Sequence, residues 1–283
     1  MKNDEPRVKI GTVVTSGDLD VGRVSALMAE GFESFELAFV DDLGGIDLGG
    51  LAPRLRDVGV PVSCLGVYGN PLMVGGTLAA LREAIRSVRE FGSDLVSCFT
   101  GRVTGASIPD SVPRFREIFR EVAREAADLG VRVAFENCPQ GGTWESGDRN
   151  LAHNPAAWEL LFDAVPAENL GLEWEPCHQM CQLIDPMPQL ALWGGRIFHV
   201  HGKDAEVDGE VLARFGAYGA ERFAHHRFPG RGTSDWGAIF RGLEEAGFRG
   251  SVDIEGAHDS GIAPEHEDTA QRDALEFLRR ARG

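Results

Sequence analysis

Long apolar runs are missing from this chain. No stretch approaches the roughly 20 residues that a bilayer-spanning helix needs. The opening Met1-Lys2-Asn3-Asp4-Glu5-Pro6 has no apolar segment of the signal-peptide kind. Both absences point to a cytoplasmic protein with no membrane partner. Positive charge is also scarce: 28 Lys and Arg stand against 44 Asp and Glu, and 28 − 44 = −16 with His neutral. A phosphate backbone is held by clustered cations, so a nucleic-acid partner is not expected. The cysteines number five (Cys64, Cys98, Cys138, Cys177 and Cys181) and form no CxxC. An odd count without that spacing argues against a disulfide framework and for a reducing compartment. No glycine-rich turn leads into a helix with a nearby lysine, so no phosphate cradle is evident.

What is present is alternation. Strand-like segments at 8–14, 34–39, 61–68, 95–99, 132–135, 170–174, 197–200 and 251–254 are separated by helix-like ones. The helices are expected at 21–31, 51–57, 77–91, 111–129, 155–164, 187–193, 236–246 and 263–282. Several carry their own punctuation. Asp20, Asn154 and Asp235 stand at N-cap positions, as does Asp110 or Ser111, and Gly31, Gly92, Gly130 and Gly247 follow as stops. In the helix at 77–91, Leu78, Leu81, Ile85 and Val88 form one apolar stripe. Eight such units with no linker or composition break predict an α/β fold, a (β/α)8 TIM barrel, as a single domain over 1–283. Two loops are long: the Gly-rich 69–76, and 202–234, which reads as a lid.

Strand ends carry the chemistry. Leu170-Gly171-Leu172-Glu173-Trp174-Glu175-Pro176-Cys177-His178 begins as a buried strand, and Pro176 ends the ladder. Glu175 and His178 then stand just past its tip. In the same way the strand at 132–135 runs into Glu136, the one at 197–200 into His201, and the one at 251–254 into Glu255. A barrel gathers these tips on one face. A single Glu at a strand end is most often solvated or ion-paired. Four converging groups are different, because unbalanced carboxylates repel one another. One imidazole with three carboxylates is a mostly oxygen ligand set, better suited to Mn²⁺, Mg²⁺ or Co²⁺ than to structural zinc.

The motifs Phe135-Glu136-Asn137-Cys138-Pro139, Gly171 to His178, His199-Val200-His201-Gly202-Lys203-Asp204, Phe228-Pro229-Gly230-Arg231-Gly232 and Ala246 to Glu255 carry a resemblance. Through them the chain resembles the xylose isomerase-like TIM barrel superfamily, in its sugar phosphate isomerase/epimerase branch, over nearly its whole length. The resemblance implies a divalent metal, most readily Mn²⁺, held by Glu136, Glu175, His201 and Glu255. The second ligand of that branch is normally Asp, so Glu175 is a departure. Glu136 and Glu255 are implied to be the catalytic acid/base pair, moving a proton beside a carbonyl through a metal-stabilised enediolate. Substrate contacts are expected from His178, Lys203, Trp174 and Arg227. Asp204 is expected to support His201 from behind. The branch usually carries an Arg soon after its His ligand, but Ala205-Glu206-Val207-Asp208 has none, leaving Arg227 or Arg231 to substitute. Trp144 and Tyr68 are further aromatics near the expected mouth.

The reading that follows is a sugar isomerase or epimerase acting on an unphosphorylated ketose or keto-cyclitol. An alternative is a lyase or dehydratase on a keto-sugar or keto-inositol, using the same metal and the same proton abstraction. A DNA-repair endonuclease of the superfamily would need a histidine-rich multi-zinc set. A non-catalytic sugar-binding subunit would be marked by a lost ligand. Relatives in this branch often form dimers or tetramers, so a homo-oligomer is compatible with the resemblance.

Overall fold

A polar side chain starts most of the helices. Asp20 accepts backbone N–H bonds from Gly22 and Arg23 to begin α1 (Val21–Glu30). Asn154 does the same for α5 (Pro155–Ala164) and Asp235 for α9 (Trp236–Glu245). The remaining helices are α2 (Leu48–Asp57), α3 (Gly75–Ser87), α4 (Ile108–Asp128), α6 (Pro176–Cys181), α7 (Pro186–Trp193), α8 (Gly209–Phe215) and α10 (Glu267–Arg282). Helix α4 starts earlier than the sequence suggests. Ser107, not Asp110 or Ser111, is its cap, accepting the Asp110 amide at 3.2 Å. Pro109 needs no partner in that first turn.

In the computed structural model, which describes residues 8–256 and 259–283, eight parallel strands close into a barrel. They are β1 (Lys9–Thr15), β2 (Phe35–Val40), β3 (Val62–Tyr68), β4 (Leu95–Cys98), β5 (Arg132–Glu136), β6 (Leu170–Trp174), β7 (Ile197–Gly202) and β10 (Ser251–Ile254). Around the wall the order is β1-β10-β7-β6-β5-β4-β3-β2. This is a (β/α)8 TIM barrel. The segment after β7 is not a bare loop. It holds an antiparallel hairpin, β8 (Asp204–Val207) and β9 (Ala224–Arg227), with α8 between the strands. The opening residues 1–6, from which no signal segment was read, lie outside the described residues. Among the described residues no helix is long and apolar enough to cross a membrane.

Strand side chains alternate, and the two faces of this wall differ sharply. Outward-facing Phe135 packs against Phe119 at 5.2 Å and Phe115 at 5.8 Å, both on α4. Burying one such side chain contributes about 1.5–3 kcal/mol. The inward face is polar. Glu36, Cys64, Ser97, Glu173, His199 and Asp253 are all buried inside the barrel, where such folds normally stack branched aliphatic residues. They form one hydrogen-bonded ladder. Asp253 accepts from Ser34 Oγ at 2.5 Å and lies 2.9 Å from His199 Nε2. His199 Nδ1 lies 2.8 Å from Glu173 Oε1, and Tyr68 donates to Glu173 at 2.7 Å and also to Glu36. Gly66 makes room for this, since a Cβ there would collide with Glu36 and the Tyr68 ring.

Burial opposes the charge on His199, yet its contacts with Cys64, Asp253 and Glu173 hold its pKa well above the ordinary imidazole value. A group whose folded pKa is raised stabilises the fold fully below its unfolded value of about 6.5. That contribution fades as pH rises through the folded value. His199→Gln is therefore expected to be most destabilised on the acid side, with a flatter decline above neutrality than the wild type. Thermal midpoints taken across pH check this. Parallel curves for the two proteins would contradict it.

Candidate active site

Strand parity places the functional groups. Glu173 and Glu175 share parity, so both turn inward from β6, one below the other. Glu136 ends β5, His201 lies in β7, and Glu255 follows β10. One ligand atom from each of Glu136, Glu175, His201 and Glu255 lies within 4.8 Å of the others. The backbone is tied in place around them. Asn137 reaches across from β5, with its Nδ2 donating to the Glu175 carbonyl at 2.9 Å and its Oδ1 accepting the Glu175 N–H at 2.6 Å. Asn150 Nδ2 donates to the carbonyls of Glu136 and Cys138, both at 2.8 Å. The amide of Lys203 bonds back to the His201 carbonyl at 3.0 Å. Two of the strand ends that carry the cluster are thus linked by one amide side chain.

Electrostatics within the cluster is concentrated. His201 Nδ1 lies 3.5 Å from Glu136 Oε1, 3.5 Å from Glu175 Oε2 and 3.4 Å from Glu255 Oε2. Lys203 Nζ sits 2.9 Å from Glu255 and 3.8 Å from Glu175. His178 Nε2 lies 3.3 Å from Glu175 and 3.9 Å from Glu136. Burial pushes the Glu136 carboxyl well above its usual range, and the nearby charges of Glu255 and Glu175 add to the push. Burial would also raise Glu175, but the charges of Lys203 and His201 beside it overcome that and bring this carboxyl below its ordinary value. Burial takes His178 down to about 3, so its imidazole is neutral. Lys203 resists burial because Glu175 and Glu255 hold its ammonium charged. For His201, burial is likewise outweighed by Glu173 and Glu36, and its pKa stands well above the usual imidazole value.

These residues fit a divalent cation. Glu175 Oε1, Glu175 Oε2 and His201 Nδ1 are fully buried and none has a hydrogen-bond partner. A buried polar atom left unsatisfied is costly, and three converging on one point call for a shared partner. The far side of the His201 ring is already occupied, since Nε2 lies 2.8 Å from Glu36 Oε2. That contact turns Nδ1 toward the three carboxylates, as expected for a metal-ligating imidazole oriented from behind.

Several sequence-based expectations change here. Asp204 does not support His201. Its Oδ1 accepts the amides of Ala205 and Ser234, and its Oδ2 the Trp236 indole, because the chain has already turned into the hairpin. Glu36 holds that place instead. Trp174 is not available to a substrate. Its parity is opposite to that of Glu173, so it faces the helix layer, fully buried, and donates to Gln179 at 2.8 Å. Arg227 is tied to Glu206 at 2.8 Å and to Asp259 at 3.1 Å, and Arg231 to the same Asp259 at 2.9 Å. Neither lines the main cavity. His178 and Lys203 do line it. So do Tyr68, Phe99 and Cys138, together with Cys181 and His226. Trp144 lies partly buried against the apolar core.

The cavity over the cluster measures about 1100 Å³. Glu36 was the residue of this site least visible in advance, whereas Tyr68, expected near the mouth, does line the cavity. A signal did exist for Lys203, which is one of only three lysines in the chain and, among the described residues, the only one beside this site.

Comparison with known proteins agrees on architecture. A family model described as xylose isomerase-like TIM barrel matches residues 24–281. No curated protein matches the chain by sequence. Among solved structures, the chain is similar to the apo form of 3-keto-D-glucoside 4-epimerase from E. coli. The TM-score is 0.72 and identity 18%, covering 97% of this chain and 100% of that one. It is also similar to an L-ribulose 3-epimerase, with TM-score 0.67 and 18% identity over 96% and 92% of the two chains. D-allulose 3-epimerase from Methylomonas sp., in complex with D-allulose, gives TM-score 0.68 at 17% identity over 98% of each chain. At these identities the likeness establishes the fold.

Proposed function

The chain belongs to the xylose isomerase-like TIM barrel family, and on that premise we propose that it is a divalent-metal-dependent sugar isomerase or epimerase. The observation that carries this reading is the cluster of Glu136, Glu175, His201 and Glu255, with its three buried, unpartnered ligand atoms. These four residues would hold the ion, most readily Mn²⁺, with Mg²⁺ or Co²⁺ as substitutes. When bound, the ion supplies Lewis acidity, lowering the cost of negative charge on a carbonyl oxygen.

The protein's own groups do the rest. Glu136, at the tip of β5 and inside the cavity, is a carboxylate placed to take a proton from carbon and give it back. Glu255 reaches the same point from β10 with its side chain 21% exposed and its oxygen on Lys203 Nζ, and serves as the second acid/base group. Lys203 keeps that carboxylate in place and offers its remaining N–H bonds to substrate oxygen. Neutral His178 can donate to or accept from a sugar hydroxyl. Tyr68 and Phe99 form an apolar wall of the kind that sugar C–H faces pack on. Five unpaired cysteines support the reading of a cytoplasmic protein.

The size of the cavity favours a second reading of the same site. At about 1100 Å³ it exceeds the roughly 300–1,000 Å³ of ordinary small-molecule pockets. A keto-sugar bearing a leaving group would fit, and proton abstraction followed by expulsion of that group would make the enzyme a lyase.

The test begins with metal content. Protein purified without added metal is expected to carry about one divalent ion per chain, as one four-ligand centre requires, and His201→Ala to carry none. The loaded protein is then incubated in deuterium oxide with ketoses, 3-keto-glucosides and keto-inositols. Deuterium at the carbon beside the carbonyl is the expected result. A protein that takes up no Mn²⁺ even when supplied with it would overturn the proposal. Loss of the leaving group in place of exchange would establish the lyase.

A further inference from the structure

Glu136 stands at the root of a long irregular segment. Between β5 and α5 the chain runs over residues 137–154 with no helix and one isolated bridge, Gly101 to Asn150. Segments of that length without secondary structure of their own are commonly the mobile parts of a domain. Such a root would suit an acid/base group badly, since a misplacement of about 1 Å can cost about 100-fold in rate.

The segment is tied down by three buried side chains, Asn70, Arg102 and Asn150. Asn150 uses both ends of its amide. Its Nδ2 donates to the carbonyls of Glu136 and Cys138, and its Oδ1 accepts the Thr100 amide at 3.1 Å and the Thr100 hydroxyl at 2.8 Å, just past β4. That hydroxyl in turn accepts the Leu151 amide at 2.9 Å. Arg102 is fully buried, and among the described residues no carboxylate lies within hydrogen-bonding distance of its guanidinium. It donates to three backbone carbonyls instead, from Nε to Ala106 at 2.8 Å, from Nη1 to Thr143 at 2.6 Å and from Nη2 to Trp144 at 3.1 Å. The Asp148 charge favours it without a direct bond. A buried cation is costly unless its donors are used, and here two loops share in using them. Gly147 lets the guanidinium in, since a Cβ there would lie 2.7 Å from Nη1. Asn70, beyond β3, completes the tie. Its Nδ2 donates to the carbonyls of Arg102 and Asp148, both at 2.7 Å, and its Oδ1 accepts the Arg102 amide at 3.2 Å.

We propose that Asn150 is a positioning residue for Glu136, held in place by Arg102 and Asn70, so that the loops after β3, β4 and β5 form one rigid clamp. The proposal rests on the isomerase or epimerase reading above and sharpens it. The clamp acts through the backbone. With the carbonyls on either side of Asn137 gripped by one amide, the direction in which Glu136 leaves the chain is fixed against the end of β4. The clamped segment also supplies Cys138, Gln140 and Arg149 to the cavity wall, beside Phe99 from the β4 side. That part of the wall is therefore assembled before substrate arrives.

The test is a double-mutant cycle on the full chain loaded with Mn²⁺, with rates expressed per bound ion. Asn150→Asp keeps the size of the side chain but puts an oxygen where the donor to both carbonyls stood. It is expected to lower kcat for deuterium exchange by about 10–100-fold and to leave KM unchanged. In a Glu136→Gln background the same substitution should cost nothing further, because it acts only through that carboxylate. Arg102→Lys, which keeps the charge but loses the planar fork, should show a smaller loss with the same dependence on Glu136. Losses that multiply in the double variant, or an Asn150→Asp protein working at the wild-type rate, overturn the positioning role. Wild-type protein supplies a readout that stands even if a variant fails to fold. The amides of Thr100 and Leu151 should be protected from hydrogen exchange as strongly as those of β4 and β5, and exchange at the rate of exposed loop amides overturns the clamp. A wild type that takes up no Mn²⁺ and exchanges no deuterium into any keto-sugar overturns the function itself, and the positioning role with it. An active wild type whose losses multiply overturns the positioning role alone.

Discussion

Glu136→Gln is expected to lower kcat by about 10²–10⁴-fold, the usual contribution of a positioned acid/base group, on whichever ketose exchanges deuterium. Glutamine keeps the shape and one ligand oxygen but cannot take a proton. Glu255→Gln should cost a similar factor for the same reason. The two losses are expected to differ in kind. If each carboxylate serves one face of the sugar, each variant still exchanges solvent deuterium into one epimer while net epimerisation stops. Deuterium incorporation, followed separately from each epimer, reads this out. Metal content is measured alongside, because both residues are also proposed ligands. A variant that retains its metal and turns over at the wild-type rate ends the acid/base assignment of that residue.

The second large effect is expected at Glu36, which touches neither the cavity nor the proposed ion. It is fully buried, accepts from Tyr68, and meets His201 Nε2 at 2.8 Å. Removing the partner behind a ligating imidazole typically weakens metal binding about 10–100-fold. Glu36→Gln should do so, measured by competition against a chelator of known affinity. Glu36→Ala should in addition cost about 3–5 kcal/mol of stability in denaturant unfolding, because a buried charged partner is left alone. Tyr68→Phe, which removes one of the grips on Glu36, should lie between wild type and Glu36→Gln in metal affinity. Unchanged metal affinity in Glu36→Gln would mean that His201 is oriented by the strand alone.

How much of this was legible in the sequence follows from the range of the signals. Caps act over two or three residues, so Asp20, Asn154 and Asp235 could be read directly, and the barrel followed from counting units. The strand-tip residues Glu136, Glu175, His201 and Glu255 were legible because the fold gathers its C-terminal tips whatever the loops do. Trp174 was misplaced although the information was present. In an alternating strand Glu173 and Glu175 must share a face, and Trp174 must take the other. Asp204 and Arg227 were misplaced for a different reason. Their partners (Ser234 and Trp236 for one, Glu206 and Asp259 for the other) depend on a hairpin whose pairing no local pattern announces. Glu36 and Tyr68 meet His201 only through barrel closure, over sequence separations of 165 for the Glu36–His201 contact and 32 for Tyr68–Glu36. No periodicity reports such a meeting.

The ionic ladder inside the barrel also limits how this protein can change. In an aliphatic barrel, one inner Val can become Ile with only a packing adjustment. Here Asp253, His199, Glu173, Tyr68, Glu36 and His201 each lean on the next, so replacing any one with an apolar residue strands its neighbour. The routes left open to mutation are joint ones, in which neighbours of opposite charge, such as His199 and Asp253, are exchanged together. A redesign aimed only at the mouth of the barrel therefore inherits the floor beneath it, because the orientation of His201 at the top is set from below.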